Sequence, residues 1–154
     1  MSSSCVNCPG NSATNVKLAI DTNLDTAAGL TLFNSSGDPT AQSGQISLIG
    51  KAQNGIVFPA GSKAGVIFGL PIGGNVRYSA TLNTYLSGTL QESDAVVVGV
   101  AGATNGEIRY YGFTPANPTT KSFDAVEIAI TELTPNAERH DYRVFEFCGD
   151  GAKN

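Results

Sequence analysis

Tryptophan is absent from this chain, and histidine and methionine each occur once. A single histidine leaves no His-rich metal set and little material for histidine acid–base chemistry. Charged residues make up only 14% of the sequence, against roughly 25% in an average soluble protein. The net charge of −4 supplies no basic footprint and excludes non-specific nucleic-acid binding. No apolar run reaches the roughly 18 residues of a membrane-spanning helix. The opening MSSSCVNCPG has neither a basic n-region nor an apolar h-region. It reads as the start of a mature or an intracellular chain rather than as a signal peptide. Helical periodicity is almost missing as well.

What remains is hydrophobic, neutral and β-branched. The 154 residues are 41% hydrophobic, enough for one domain with a core and too apolar for disorder. Short β-branched or aromatic runs recur between Gly, Asn, Asp and Pro. The sequence predicts strands at 16–20, 30–33, 44–50, 55–59, 64–70, 77–86, 95–100, 107–113, 124–133 and 141–148. In the run 124–133, Val126, Ile128 and Ile130 alternate with Glu127, Ala129 and Thr131, so the first set should face inward. Asn54-Gly55 and Asn105-Gly106 are dipeptides favoured by two-residue hairpins, since both positions tolerate φ > 0. Ser43-Gly44, Gly73-Gly74 and Ser87-Gly88 mark further turns. The Pro-bearing stretch 114–122 is expected to cross between sheets. Turn signals about every ten residues predict an all-β antiparallel sandwich or jelly roll. The expected organisation is an N-terminal tail or first strand over 1–15, one sandwich domain over 16–149, and a C-terminal tail over 150–154.

Some of these runs resemble a known family. AIDTNLDTAAGL near the start, SFDAVEIAITEL, and the closing DYRVFEFCG are similar to the opening loop and paired final strands of galactose-binding-like, discoidin-type jelly-roll modules. The middle, from FPAGSKAGVIFGL to ATLNTYLSGTLQES, resembles modules of secreted bacterial surface proteins. The resemblance implies a jelly roll and an extracellular or cell-surface location. Cysteines near both ends suit that family, in which one bridge commonly joins the termini.

Three groups of residues are candidates for chemistry. Cys5, Cys8 and Cys148 read as a bridge from Cys5 or Cys8 to Cys148, as free thiols, or as part of a zinc site with His140. The zinc spacing is poor, because structural sites draw ligands from close pairs. Asp21, Asn23 and Asp25 place oxygens at alternate positions, as a calcium loop does. The EF-hand pattern fails, since Thr26 stands at its glycine position and Leu32 at its final glutamate. In the discoidin-like reading, Glu146 would complete a calcium site. Otherwise the stretch is a polar turn whose Asp and Asn bond their own backbone. Tyr78, Tyr85, Tyr110 and Tyr111 are candidates for stacking on sugars, or else pack on sheet faces.

No nucleophile motif or phosphate loop is visible, and the acidic residues are scattered. The function expected is therefore non-catalytic: an extracellular structural or adhesive module, self-associating or docking on a cell-surface scaffold, including as a filament subunit. The alternative is a carbohydrate-binding module stabilised by calcium. The assembly reading takes the first and last strands, 16–20 and 141–148, as open sheet edges.

Overall fold

A computed structural model of the chain describes residues 2–6, 12–14, 25, 27–33, 45–69, 76–101, 108–114, 117–132 and 139–150. The strands are β1 (Ser2–Val6), β2 (Ser12–Thr14), β3 (Ala28–Phe33), β4 (Gln45–Lys51), β5 (Lys63–Gly69), β6 (Val76–Leu86), β7 (Thr89–Ala101), β8 (Ile108–Gly112), β9 (Ala125–Glu132) and β10 (Arg139–Asp150). They form two five-stranded sheets, ordered β1-β4-β9-β6-β7 and β2-β3-β10-β5-β8. Every pairing between them is antiparallel.

Remove the two N-terminal strands, and β3 to β10 give the alternating two-sheet order of an eight-stranded jelly roll. The all-β jelly-roll sandwich expected from periodicity, and from the resemblance, is the architecture found. The segment 1–15 contributes an outer strand to each sheet. The chain passes from β8 in the second sheet to β9 in the first, so 114–122 crosses between sheets as expected.

Alternation of side chains builds the core. Ile46 and Leu48 on β4, Ala80 and Leu82 on β6, and Val126, Ile128 and Ile130 on β9 are buried from the first sheet. They meet Leu30 and Leu32 on β3, Val66 and Phe68 on β5, and Tyr142 and Val144 on β10. Tyr142 stacks on Phe68 at 5.9 Å and meets Tyr78 edge-on at 5.7 Å. A register shift between Val144 and Glu146 bends β10. The extra residue of such a bulge re-aims the side chains that follow, and Phe147 then packs against the core.

Three expectations need correction. Segment 55–59 is not a strand. Gln53–Gly55 form a 3-10 turn, with Asn54 at φ 56° and Gly55 at φ 70°, and only Phe58 bridges to Phe123. The dipeptide permits the turn, but Ile56 and Val57 pair with no strand among the described residues. Among the described residues a two-residue hairpin falls at Ser87-Gly88, between β6 and β7, with φ of 51° and 82°, whereas β7 and β8, on either side of Asn105-Gly106, lie in different sheets and form no hairpin. β10 is not an edge: it lies between β3 and β5 and bonds to both. β3 pairs its residues 139–144 and β5 its residues 143–150, so Asp141, Arg143 and Glu146 do not sit on a free edge strand. His140, a residue of a polar stretch, is buried at 2% exposure on β10, paired with Leu32. Segment 16–20 and Asn105-Gly106 lie outside the described residues.

Candidate functional site

The connections at one end of the sandwich are closed by backbone hydrogen bonds. Phe58 and Phe123 exchange a pair of them, at 2.8 and 3.0 Å. Ala52 N–H donates to the Asp124 carbonyl at 2.8 Å, and Asp124 N–H to the Tyr85 carbonyl at 2.7 Å. Gly61 N–H bonds the Thr119 carbonyl, and Thr119 returns both its N–H and its hydroxyl to Ser62. These bonds hold the 52–62 and 117–124 connections across the mouth between the sheets.

A cavity of about 170 Å³ lies there, among the ends of β4, β9 and β10. Its aromatic lining is Phe58, Phe123 and Phe147. Phe58 and Phe123 stack at 4.9 Å, with their planes 20° apart. Phe147 lies on Gly50, where a Cβ would come within 2.7 Å of the ring. The polar lining is Lys51, Gln53 and Asp124. Asp124 accepts Ser87 N–H at 3.2 Å, and its other oxygen lies 3.6 Å from Lys51 Nζ. The lysine side chain is mostly exposed, so this ion pair is weak and free to rearrange. A cavity near 150 Å³ takes a single six-membered ring. Aromatic walls would hold a ring's apolar face, while amide, ammonium and carboxylate groups meet its polar edge.

The outer face of the first sheet carries a second polar feature. Glu127 Oε2 accepts the Tyr85 hydroxyl at 2.6 Å and Asn83 Nδ2 at 2.9 Å. Ser93 donates its hydroxyl to Asn83 Oδ1 at 2.7 Å. Burial pushes Glu127 up, but hydrogen bonds from Tyr85, Asn83 and Ser47 together bring it below the ordinary carboxylate value. Burial, then the Glu127 carboxylate, raises Tyr85 to about 12. Neither group is poised to exchange protons near neutrality. The array is a fixed set of donors and acceptors spread over β4, β9, β6 and β7.

The four tyrosines do not come together. Tyr78 is fully buried between the sheets. Tyr111 is half-buried, edge-on to Phe68 at 6.0 Å. Tyr110 is exposed on β8 and donates its hydroxyl to the Phe113 carbonyl at 2.8 Å. Tyr85 lies on the outer face of the first sheet, bonded to Glu127. Inward positions of the strands took Tyr78 into the core, so no four-ring sugar platform exists.

Asp21 and Asn23 lie outside the described residues. Asp25 is in an exposed turn, and Glu146 is half-buried on β10. No cluster of three metal-ligating side chains occurs among the described residues. Cys148 is a free thiol, so the bridge to Cys5 or Cys8 is not made in this structure. Cys5 lies on β1 at the edge of the first sheet, whereas Cys148 lies on β10 inside the second. Cys8 and the Cys5 side chain lie outside the described residues. Burial, and then Glu146, raises the Cys148 thiol. His140 and Cys148 sit eight residues apart on one strand, about 26 Å at 3.3 Å per residue, and cannot share a zinc ion. No helix among the described residues is long and apolar enough to cross a membrane.

Phe58, Phe123, Phe147 and Glu127 were not among the sequence candidates. Glu127 had a legible signal, its outward place in the alternation of β9. The three phenylalanines lie far apart in sequence, and nothing local links them.

No family model matches this chain, and no curated protein matches it. Solved structures do. A chitosan-binding module of a chitosanase/glucanase from Paenibacillus sp. IK-5 is 18% identical over 97% of this chain and 94% of its own, with TM-score 0.44. A family 32 carbohydrate-binding module from C. perfringens NanJ, solved with galactose, is 17% identical over 95% and 90%, with TM-score 0.43. The infectious bursal disease virus VP2 subviral particle is 14% identical over 78% of this chain and 31% of its own, with TM-score 0.40. At this distance they say nothing of a ligand for this chain, and the jelly-roll assignment rests on its own strand order.

Proposed function

We propose that this chain is a non-catalytic, extracellular carbohydrate-binding module that takes one sugar ring of a glycan in the cavity at the sandwich end. The observation that carries this reading is the lining: Phe58, Phe123 and Phe147 beside Lys51, Gln53 and Asp124. A pyranose has an apolar C–H face and a rim of hydroxyls, and this lining complements both. With no tryptophan in the chain, phenylalanine and tyrosine must supply any stacking surface. Calcium stabilisation through Asp21, Asn23, Asp25 and Glu146 belongs to the same proposal.

The test is titration calorimetry against a panel of soluble oligosaccharides, neutral and acidic. Binding by the wild type, weakened tenfold or more by Lys51→Ala or Gln53→Ala at unchanged melting temperature, is expected. Absence of binding across the panel at millimolar concentration overturns the reading. Loss of binding on Glu127→Gln, with both rim variants unaffected, overturns the cavity as the site.

A second reading, an adhesive or filament subunit, is favoured by one observation. Ile56, Val57 and Leu90 are each more than half exposed at this same end. Self-association at high concentration, abolished by Ile56→Ser with Val57→Ser, is its mark in light scattering.

A further inference from the structure

At the opposite end of the core, the two sheets meet through buried polar groups. Glu132, the last residue of β9, is 1% exposed, and His140, near the start of β10, is 2% exposed. His140 Nδ1 lies 2.9 Å from Glu132 Oε1, and the Tyr142 hydroxyl donates to the same oxygen at 2.9 Å. Glu132 Oε2 is buried with no hydrogen-bond partner among the described residues. Tyr78 on β6 is the cross-strand partner of Glu132, Leu32 on β3 that of His140, and Tyr142 on β10 meets Tyr78 edge-on and stacks on Phe68 of β5. The neighbouring Asp141 points outward and accepts the Thr31 hydroxyl at 2.6 Å. Among the described residues, the titratable groups inside are thus Glu132, His140, Tyr142 and Tyr78.

We propose that Glu132 and His140 act as a one-proton latch between the sheets, which makes the stability of the domain depend on pH from both sides. With one proton between the two groups, the pair is neutral overall. A second proton leaves a buried cation, and loss of the only proton leaves a buried anion whose Oε2 is unsolvated. Either is costly in an apolar core. This device stands apart from the glycan reading, since it lies at the other end of the molecule.

The proton count gives the sign. In the unfolded chain, histidine holds its proton below about pH 6.5 and glutamate below about pH 4.3. Between those values both states hold one proton, and stability is flat. Above about pH 6.5 the unfolded chain holds none and the folded pair keeps one, so stability falls as pH rises. Below about pH 4.3 the unfolded chain holds two, and stability falls as pH falls. Burial raises Glu132, opposed by His140 and Tyr142. A raised carboxyl contributes stability that is lost as pH rises, which is the direction of the alkaline limb.

The experiment is urea unfolding of the whole chain from pH 4 to 8, short of ordinary thiol ionisation. In the wild type, the folding constant should fall by up to about tenfold per pH unit above pH 6.5. In Glu132→Gln the alkaline limb should vanish. A loss on acidification should then begin near pH 6.5, because only the histidine is left to take a proton in the unfolded chain. A wild-type folding constant that changes less than threefold from pH 6.5 to 8, or a variant profile parallel to the wild type, overturns the latch. If Glu132→Gln does not fold, the ring ¹⁵N shifts of the single histidine decide the matter in the native protein. Shifts constant from pH 5 to 8 support the latch. Titration of an ordinary solvated imidazole near pH 6.5 refutes it.

Discussion

Glu92 on β7 clasps the connection that carries one wall of the cavity. Its carboxylate accepts Thr120 N–H at 2.9 and 3.1 Å, the Thr120 hydroxyl at 2.7 Å and Lys121 N–H at 3.1 Å. Lys121 Nζ reaches back to the Gln91 carbonyl at 3.1 Å. Two residues after Lys121 comes Phe123, so the clasp positions the stacked ring. Burial pushes Glu92 up, but the bonds from Thr120 and Lys121, with the lysine charge, hold it below the usual carboxylate value.

Replace Glu92 by Gln. The side chain keeps its shape but loses its charge and one of its two accepting oxygens. Charge-assisted bonds contribute about 1.5–3 kcal/mol each when shielded. These are solvent-exposed, so the expected cost is only about 1–2 kcal/mol for the group. For a domain of this size that is a drop of about 2–8 °C in melting temperature. The pH dependence is the sharper test. A carboxyl with a depressed native pKa contributes stability that is present above its unfolded value, about 4.3, and is lost as pH falls through the native one. Calorimetric melts should therefore separate wild type from Glu92→Gln at pH 7 and converge near pH 3. The glycan binding proposed above should weaken with it, as Phe123 loses its support. Equal melting at pH 7, or a gap that persists undiminished at pH 3, refutes the reasoning.

Tyr85→Phe removes one of the donors that hold Glu127 low. It should cost about 1 kcal/mol at neutral pH, and Glu127, followed by ¹³C carboxyl NMR, should titrate at higher pH than in the wild type. Cys148, free and raised by burial, should be alkylated slowly in the native protein and quickly in urea. Peptide mapping without reductant should recover it unpaired, and a peptide linking Cys148 to Cys5 or Cys8 would contradict the structure.

Much of the architecture is legible in the sequence. A two-residue period needs no partner to be seen: Val126, Ile128 and Ile130 point one way because successive Cβ atoms in a strand must alternate. Ser87-Gly88 and the Pro-rich crossing were readable because turn geometry is local. Which strand lies beside which was not readable. Backbone hydrogen bonds pair any strand with any other, so 141–148 looked the same as an edge or as the centre of a sheet. Tertiary structure alone put β10 between β3 and β5. The same holds for side chains whose role depends on what faces them. Nothing local shows which way Tyr78 or His140 points, and both are buried because inward positions on β6 and β10 meet across the core. Phe58, Phe123 and Phe147 become a cavity wall only when two connections and a bulged strand converge. Periodicity determined the faces of the strands; the packing of one face on another decided the site and the buried Glu132–His140 pair, since those contacts join residues with no local relation in the chain.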